Sequence, residues 1–308
     1  MMPRCMRLPT MTAAIGGSIV FASLAISAIN LSIPFDAALG LAVTNGFAGL
    51  DLPLAELREL AGQTGAQEVK DRFTAAGIRP GGWALPVDFR RDDETYRAGL
   101  AELPSYAVLA QVLHSPWCST WILPYSDDLD FEANMRRHVE RLRPVAEILA
   151  AHSCRLGLEF VGPRTLRAGH AHEFIHTIDG ALELGARIGT GNTGILLDAF
   201  HWYAAHGTAG DLARLTSDQI VYVHVNDAVP GRSPDEQLDG ERMLPGASGL
   251  IDIITFLHAL DRLGYDGPVA VEPFNAAVNA LPADERVKVT GERLTRVWEQ
   301  AGLPPSGK

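Results

Sequence analysis

The sequence predicts an α/β chain folded as a single (β/α)8 barrel, and three observations carry that expectation. Strand-length apolar runs alternate with helix-like stretches along the whole chain, the rhythm of a parallel sheet wrapped by helices. The runs lack a strict apolar/polar alternation, as strands buried on both faces do. Four successive runs each close on a residue able to bind a metal: Leu156-Gly157-Leu158-Glu159, Ile195-Leu196-Leu197-Asp198, Val221-Tyr222-Val223-His224 and Val269-Ala270-Val271-Glu272. The closing residues lie 39, 26 and 48 positions apart, which leaves room for a helix between each pair. One rim of such a barrel, at the strand ends, is where this architecture places its chemistry.

Eight strand-then-helix units follow in order. A first strand is predicted within 19–29 and a helix at 34–44, which Asn45-Gly46 ends because both residues accept left-handed backbone. The second strand is 47–52, with helical sequence over 54–76. The third strand is 81–86, and the helix at 92–113 is expected to break at Pro104. The fourth strand is 119–124, followed by a helix at 131–152. The fifth strand carries Glu159, with a helix near 171–185. The sixth, seventh and eighth strands carry Asp198, His224 and Glu272, and a last helix covers 283–301. The stretch 227–249 is rich in glycine, proline and charge, and reads as an active-site flap after the seventh strand.

Length and composition fit this reading. A chain of 308 residues suits one barrel, and 47% hydrophobic residues can fill its core. The division expected is a leader over 1–18, ordered or not, and the barrel over 19–308. Residues 12–29 carry no charge and follow Arg4 and Arg7, a pattern shared with signal peptides; a buried first strand is the preferred reading. A net charge of −11 argues against nucleic-acid binding, which needs lysine and arginine to neutralise phosphates. No membrane span is expected, and the location expected is cytoplasmic. Cys5, Cys118 and Cys154 are odd in number and form no zinc-type spacing, so they are expected as reduced thiols.

Each of the four strand-end residues alone could be an ion-pair partner or a cap. Together they are three carboxylates converging on one axis, which repel one another unless a cation lies between them. Three oxygen donors and one nitrogen donor favour a fairly hard divalent ion. Mn²⁺ is the expected ion, with Mg²⁺, Co²⁺, Fe²⁺ and Zn²⁺ as alternatives. The absence of thiolate argues against a structural zinc site. A cation holding a carbonyl and the neighbouring hydroxyl acidifies the carbon between them, and Glu159 and Glu272 on opposite walls are the candidates to move the proton.

The chain resembles the sugar phosphate isomerase/epimerase superfamily, the xylose isomerase-like TIM barrels. The matching segments are Leu158-Glu159-Phe160, Leu197-Asp198-Ala199-Phe200-His201-Trp202, Val223-His224-Val225-Asn226-Asp227, Leu244-Pro245-Gly246, and Gly264 to Pro268 continuing through Glu272-Pro273-Phe274. The likeness is strong over 156–298 and weaker over 19–153, where Gly46-Phe47-Ala48-Gly49-Leu50-Asp51 is the clearest match. The resemblance implies that Glu159, Asp198, His224 and Glu272 hold the metal and that Glu159 and Glu272 double as acid and base. It implies that His201 contacts a substrate oxygen and that Arg232 meets an enediolate or substrate oxygen. It implies a small carbohydrate substrate, with isomerase or epimerase activity on a sugar, ketose or cyclitol, and a homodimer or homotetramer. A metal-dependent lyase or dehydratase that works by β-elimination on a keto-sugar or keto-glycoside through the same site is the alternative. The sequence departs from the ketose 3-epimerase pattern at Thr165, where those enzymes often carry a further glutamate, and in the extended Pro245-Gly246-Ala247-Ser248-Gly249.

Trp117 and Trp121 flank the fourth strand, and Trp121 or Trp117 is a candidate to stack on a sugar face or an aromatic aglycone. Asn226 is a candidate for substrate contact, and Asn226 and Asp227 are candidates for orienting His224 or for capping the loop. Arg242 is a weaker loop candidate than Arg232. His170, His172 and His176 are expected at a surface helix start rather than in a second metal site.

Overall fold

A computed structural model describes residues 20–303. The leader assigned to 1–18 lies outside the described residues, as does Cys5. Eleven strands occur in chain order: β1 (Phe21–Leu24), β2 (Gly49–Leu50), β3 (Arg79–Pro80), β4 (Trp83–Ala84), β5 (Trp117–Ile122), β6 (Tyr125–Ser126), β7 (Arg155–Phe160), β8 (His172–Glu173), β9 (Thr193–Asp198), β10 (Ile220–Val225) and β11 (Pro268–Val271). All but β6 and β8 form one parallel sheet in the order β3-β2-β1-β11-β10-β9-β7-β5-β4. Its two ends, β3 and β4, are consecutive pieces of one extended segment, so the sheet closes on itself as a barrel. Counted that way the strands number eight, as the sequence predicts.

Side-chain direction along the strands sorts the core into two parts. The outward residues of the last four barrel strands, among them Leu156, Leu158, Ile195, Leu197, Val223, Val225, Val269 and Val271, are buried in the large cluster shared with the helices. The inward residues Leu196, Tyr222 and Ala270 form a small interior cluster with Ala25 and Ala28. Because side chains alternate with a period of two, the residue two places further on each strand also faces inward. Those residues are Asp198, His224 and Glu272, and Gly157 stands in the same relation to Glu159. Register aligns them, with Glu159 opposite Leu196, Asp198 opposite His224 and His224 opposite Ala270.

Several elements differ from the sequence expectation. The third strand, expected at 81–86, instead pairs at Arg79–Pro80 and again at Trp83–Ala84. Gly81 and Gly82 interrupt it where the interior is crowded. A Cβ on Gly81 would lie 2.3 Å from both Asp51 Oδ1 and Ser23 Oγ, and one on Gly82 would lie 2.6 Å from the Tyr222 ring. The fourth strand starts two residues early, at Trp117. The helical region 54–76 is two helices, Leu54–Thr64 and Ala66–Ala76, parted at Gly65, whose φ of 92° is open to glycine. The helix Asp93–Val112 runs through Pro104 without the expected break. Loss of one N–H is tolerated there by the helical bonds on either side. The region 171–185 starts not as a helix but as β8, paired antiparallel with β6, and its helix is Ile178–Ile188. His172 is therefore in a strand, and His170 stacks on Tyr125 and bonds Asp127. Cys118 and Cys154 are buried free thiols. Among the described residues, no helix is long and apolar enough to cross a membrane.

Candidate metal centre

The four strand-end residues meet. One ligand atom from each of Glu159, Asp198, His224 and Glu272 lies within 4.8 Å of the other three. His224 Nδ1 is 3.6 Å from Glu159 Oε1, 3.7 Å from Asp198 Oδ2 and 3.3 Å from Glu272 Oε2. Donors bound to one ion at about 2.1 Å are separated from each other by roughly 3–4 Å, so these spacings match a shared cation. Glu159 Oε1 and His224 Nδ1 are buried with no hydrogen-bond partner. A buried polar atom left unpaired is costly, and the two orphans face each other across the gap a cation would fill. The residues present therefore fit a divalent ion.

Local folding fixes each ligand. Asp198 ends β9 and caps the following turn, accepting from the backbone N–H groups of Phe200 (2.6 Å) and His201 (3.0 Å) through Oδ1. Its Oδ2 accepts from Asn226 Nδ2 at 3.1 Å and Arg242 Nη1 at 3.1 Å. Glu272 follows β11; its N–H donates to Val225 O, and Oε2 accepts from Arg242 Nη1 at 2.7 Å. The Tyr222 ring meets the His224 imidazole edge-on at 5.0 Å.

Arg242, at 1% exposure, is the buried cation of the site. It bridges Asp198 and Glu272, donates to Asp239 Oδ1 at 2.8 Å, and stacks on Phe200 and Phe274. Sequence reasoning ranked Arg232 above it. The structure pairs Arg232 with Glu241 instead, at 2.7 Å, and brings Arg242 to the ligands.

Charge is distributed unevenly over the two glutamates. Burial raises the Glu159 carboxyl above the ordinary range, reinforced by Glu272 and outweighing the attraction of His224. Burial would also raise Glu272, but His224 and Arg242 overcome it and hold Glu272 well below the ordinary range. Burial disfavours charge on His224, yet Glu272 and Glu159 raise it well above the usual imidazole value. His201 is pushed down to about 3 by burial, so it is neutral.

The remaining predicted residues take varied places. Glu159, His224 and Glu272 line a cavity of about 260 Å³ together with Asp51, Ser119, Thr120, Trp121, Tyr222 and Phe274. Trp121 is 45% exposed on that wall, and Arg90 stacks on its ring at 3.9 Å. His201 does not reach the cavity lining. It packs behind the ligands, 3.3 Å from Arg242 Nη2 and 3.8 Å from Glu159 Oε1. Asn226 is fully buried and holds Asp198 and the Glu272 carbonyl rather than His224. Asp227 ties the flap, accepting from the N–H groups of Ser248, Gly249 and Ile251. Thr165 donates to Gln237 O in the same flap. Sequence reasoning missed Asp51 and Tyr222 as cavity residues.

A family model described as xylose isomerase-like TIM barrel matches residues 39–295. An inosose isomerase of Halalkalibacterium halodurans is 27% identical over 234 residues, 75% of this chain and 79% of the relative. A 3-dehydroshikimate dehydratase of Pseudomonas aeruginosa is 32% identical over 143 residues, 46% of this chain and 21% of that protein. A solved xylose isomerase domain protein from Alicyclobacillus acidocaldarius shares 29% identity at a TM-score of 0.79, covering 92% of this chain and 99% of its own. With the barrel closed, its strand-end ligands converged and the family model spanning most of the sequence, the chain belongs to the xylose isomerase-like TIM barrel family.

Proposed function

We propose that the chain is a divalent-metal-dependent isomerase or epimerase of a sugar, ketose or cyclitol, acting through an enediolate with Glu159 and Glu272 as its acid/base pair. One observation carries the reading: two glutamates from barrel strands that are not neighbours line one cavity, with His224 between them. A cation held by Glu159, Asp198, His224 and Glu272 supplies polarisation of a carbonyl and its neighbouring hydroxyl. Mn²⁺ is the ion of first choice for this donor set. Glu159 and Glu272 then face the acidified carbon; one removes its proton and the other returns a proton on the same or the opposite face.

The other residues support those two. Arg242 and Asn226 fix Asp198 and Glu272 in place. Asp198 has both oxygens committed to hydrogen bonds, so it serves as an anchor rather than a base. Trp121 offers an apolar face to a sugar ring, and Arg90 holds the indole by stacking on it. In this reading His201 positions Arg242 and does not touch substrate, and Arg232 serves the flap. The relatives that match over most of the chain are named inosose isomerases, which favours a keto-cyclitol within the class.

The test is solvent-deuterium incorporation into a ketose or an inosose by the Mn²⁺-loaded protein. Wild type should exchange, and Glu159→Gln and Glu272→Gln should each lower the rate by about 10²–10⁴-fold. Unchanged exchange in both variants would overturn the two-glutamate mechanism.

The likeness to a dehydratase favours one second reading. The same enediolate can expel a β-hydroxyl, with one glutamate protonating it to water. Product mass separates the two, because isomerisation conserves it and dehydration loses a water.

A further inference from the structure

A third carboxylate, Asp51, lines the cavity beside Glu159 and Glu272 and takes no part in the candidate metal set. Asp51 follows β2, and its Oδ1 accepts from Ser23 Oγ at 2.6 Å and from the Gly82 N–H at 3.1 Å. Its Oδ2 accepts from the Tyr222 hydroxyl. Tyr222 comes from β10, three places round the sheet from β2, so this bond crosses the barrel interior. The sequence makes room for it: any Cβ at Gly81 would strike Asp51 and Ser23, and any Cβ at Gly82 would strike Tyr222.

A role in holding the barrel together accounts poorly for this arrangement. The three donors are neutral, and Asp51 has no Arg or Lys partner among the described ion pairs. A partly buried carboxylate held on neutral donors is a poor stabiliser compared with an apolar plug. The interior cluster that Tyr222 joins is otherwise built of such plugs, Ala25, Ala28, Leu196 and Ala270. A carboxylate has about four acceptor sites. Three are filled, which leaves one for a donor entering the cavity that Asp51 shares with Glu159, His224 and Glu272.

We propose that Asp51 accepts a hydrogen bond from a substrate hydroxyl remote from the reacting carbons, and so selects a polyhydroxylated substrate in a fixed orientation. Ser23 and Tyr222 are positioning residues that hold the carboxylate still. The inference rests on the isomerase reading for its substrate class. A sugar or cyclitol gripped at the cation end alone could pivot about that end. A second, rigid acceptor on another strand stops the pivot and presents one carbon to the glutamates.

The experiment is a binding cycle on the Mn²⁺-loaded protein. It compares wild type, Asp51→Asn and Tyr222→Phe against an inosose, a ketohexose and the monodeoxy analogues of each, with metal content as the check on folding. Asp51→Asn should keep its metal and weaken the parent ligand about 10- to 100-fold. One deoxy analogue should bind wild type comparably weakly and lose little further in Asp51→Asn. Tyr222→Phe should raise KM by a smaller factor with kcat less affected. Losses that simply add for every analogue, unchanged affinity in a metal-replete Asp51→Asn, or a wild type that binds no member of the panel would each overturn the proposal. Binding without deuterium exchange would sink the isomerase reading instead and leave the cycle to decide Asp51.

Discussion

Glu159 and Glu272 carry the same side chain in different fields, because Arg242 leans on one and not the other. The convergence of Glu159, Asp198, His224 and Glu272 was legible because strand periodicity reports which residues face inward, and each ended an apolar run. Arg242 was not, since an irregular loop gives no rule for which of its cations folds back. It is buried between Asp198 and Glu272, and removing one partner of a buried ion pair leaves the other charge uncompensated. Arg242→Met should therefore cost the metal-free protein about 3–5 kcal/mol, measured by urea unfolding in EDTA. Added divalent metal should recover part of that loss by neutralising the same carboxylates. A variant as stable as wild type in EDTA would show that the contact carries no net energy.

At the scale of elements, the chain's alternation of strand and helix read through cleanly, while the third strand did not. Its boundaries are set by crowding against Ser23, Asp51 and Tyr222, which are distant in sequence. The antiparallel pairing of β6 with β8 was hidden because two-residue strands leave no periodic trace. Gly162, just past β7, was another silent position. A Cβ there would lie 2.2 Å from the His201 carbonyl oxygen, and the Gly162 N–H donates to His201 Nδ1. Gly162→Ala should destabilise by about 1–3 kcal/mol and lower metal affinity by shifting the turn that Asp198 caps. Unfolding and metal titration of that variant check both parts.

The helix Phe131–Ala151 carries its own pH dependence. His138 is buried on it, bonded to Asn134 O, and burial pushes its pKa down to about 4. Its unfolded value is near 6.5, so between those limits the unfolded chain holds the extra proton and stability falls as pH falls. The contribution lost from pH 7 toward pH 4 is about 3 kcal/mol. His138→Gln should flatten that part of the stability curve relative to wild type. Parallel curves for the two proteins would show that His138 is not buried neutral.

Across the whole molecule, the site ties together the ends of four strands that are otherwise joined only by sheet bonds and helix packing. A cation bound to the folded state alone must stabilise all of it, by about 2.7 kcal/mol at 100-fold excess over its Kd. The family and the barrel were readable from the alternation of elements and the strand-end motifs. The shape of the cavity was not, because it depends on Asp51, Trp121 and Phe274, which come from separate strands. The most direct test of the central claim is calorimetric titration of Mn²⁺ into chelator-stripped protein, wild type beside His224→Ala. One ion per chain in wild type, and a loss or strong weakening of that binding in the folded variant, is the predicted result. Equal binding by both proteins, or none by wild type with any of the divalent ions, would contradict it.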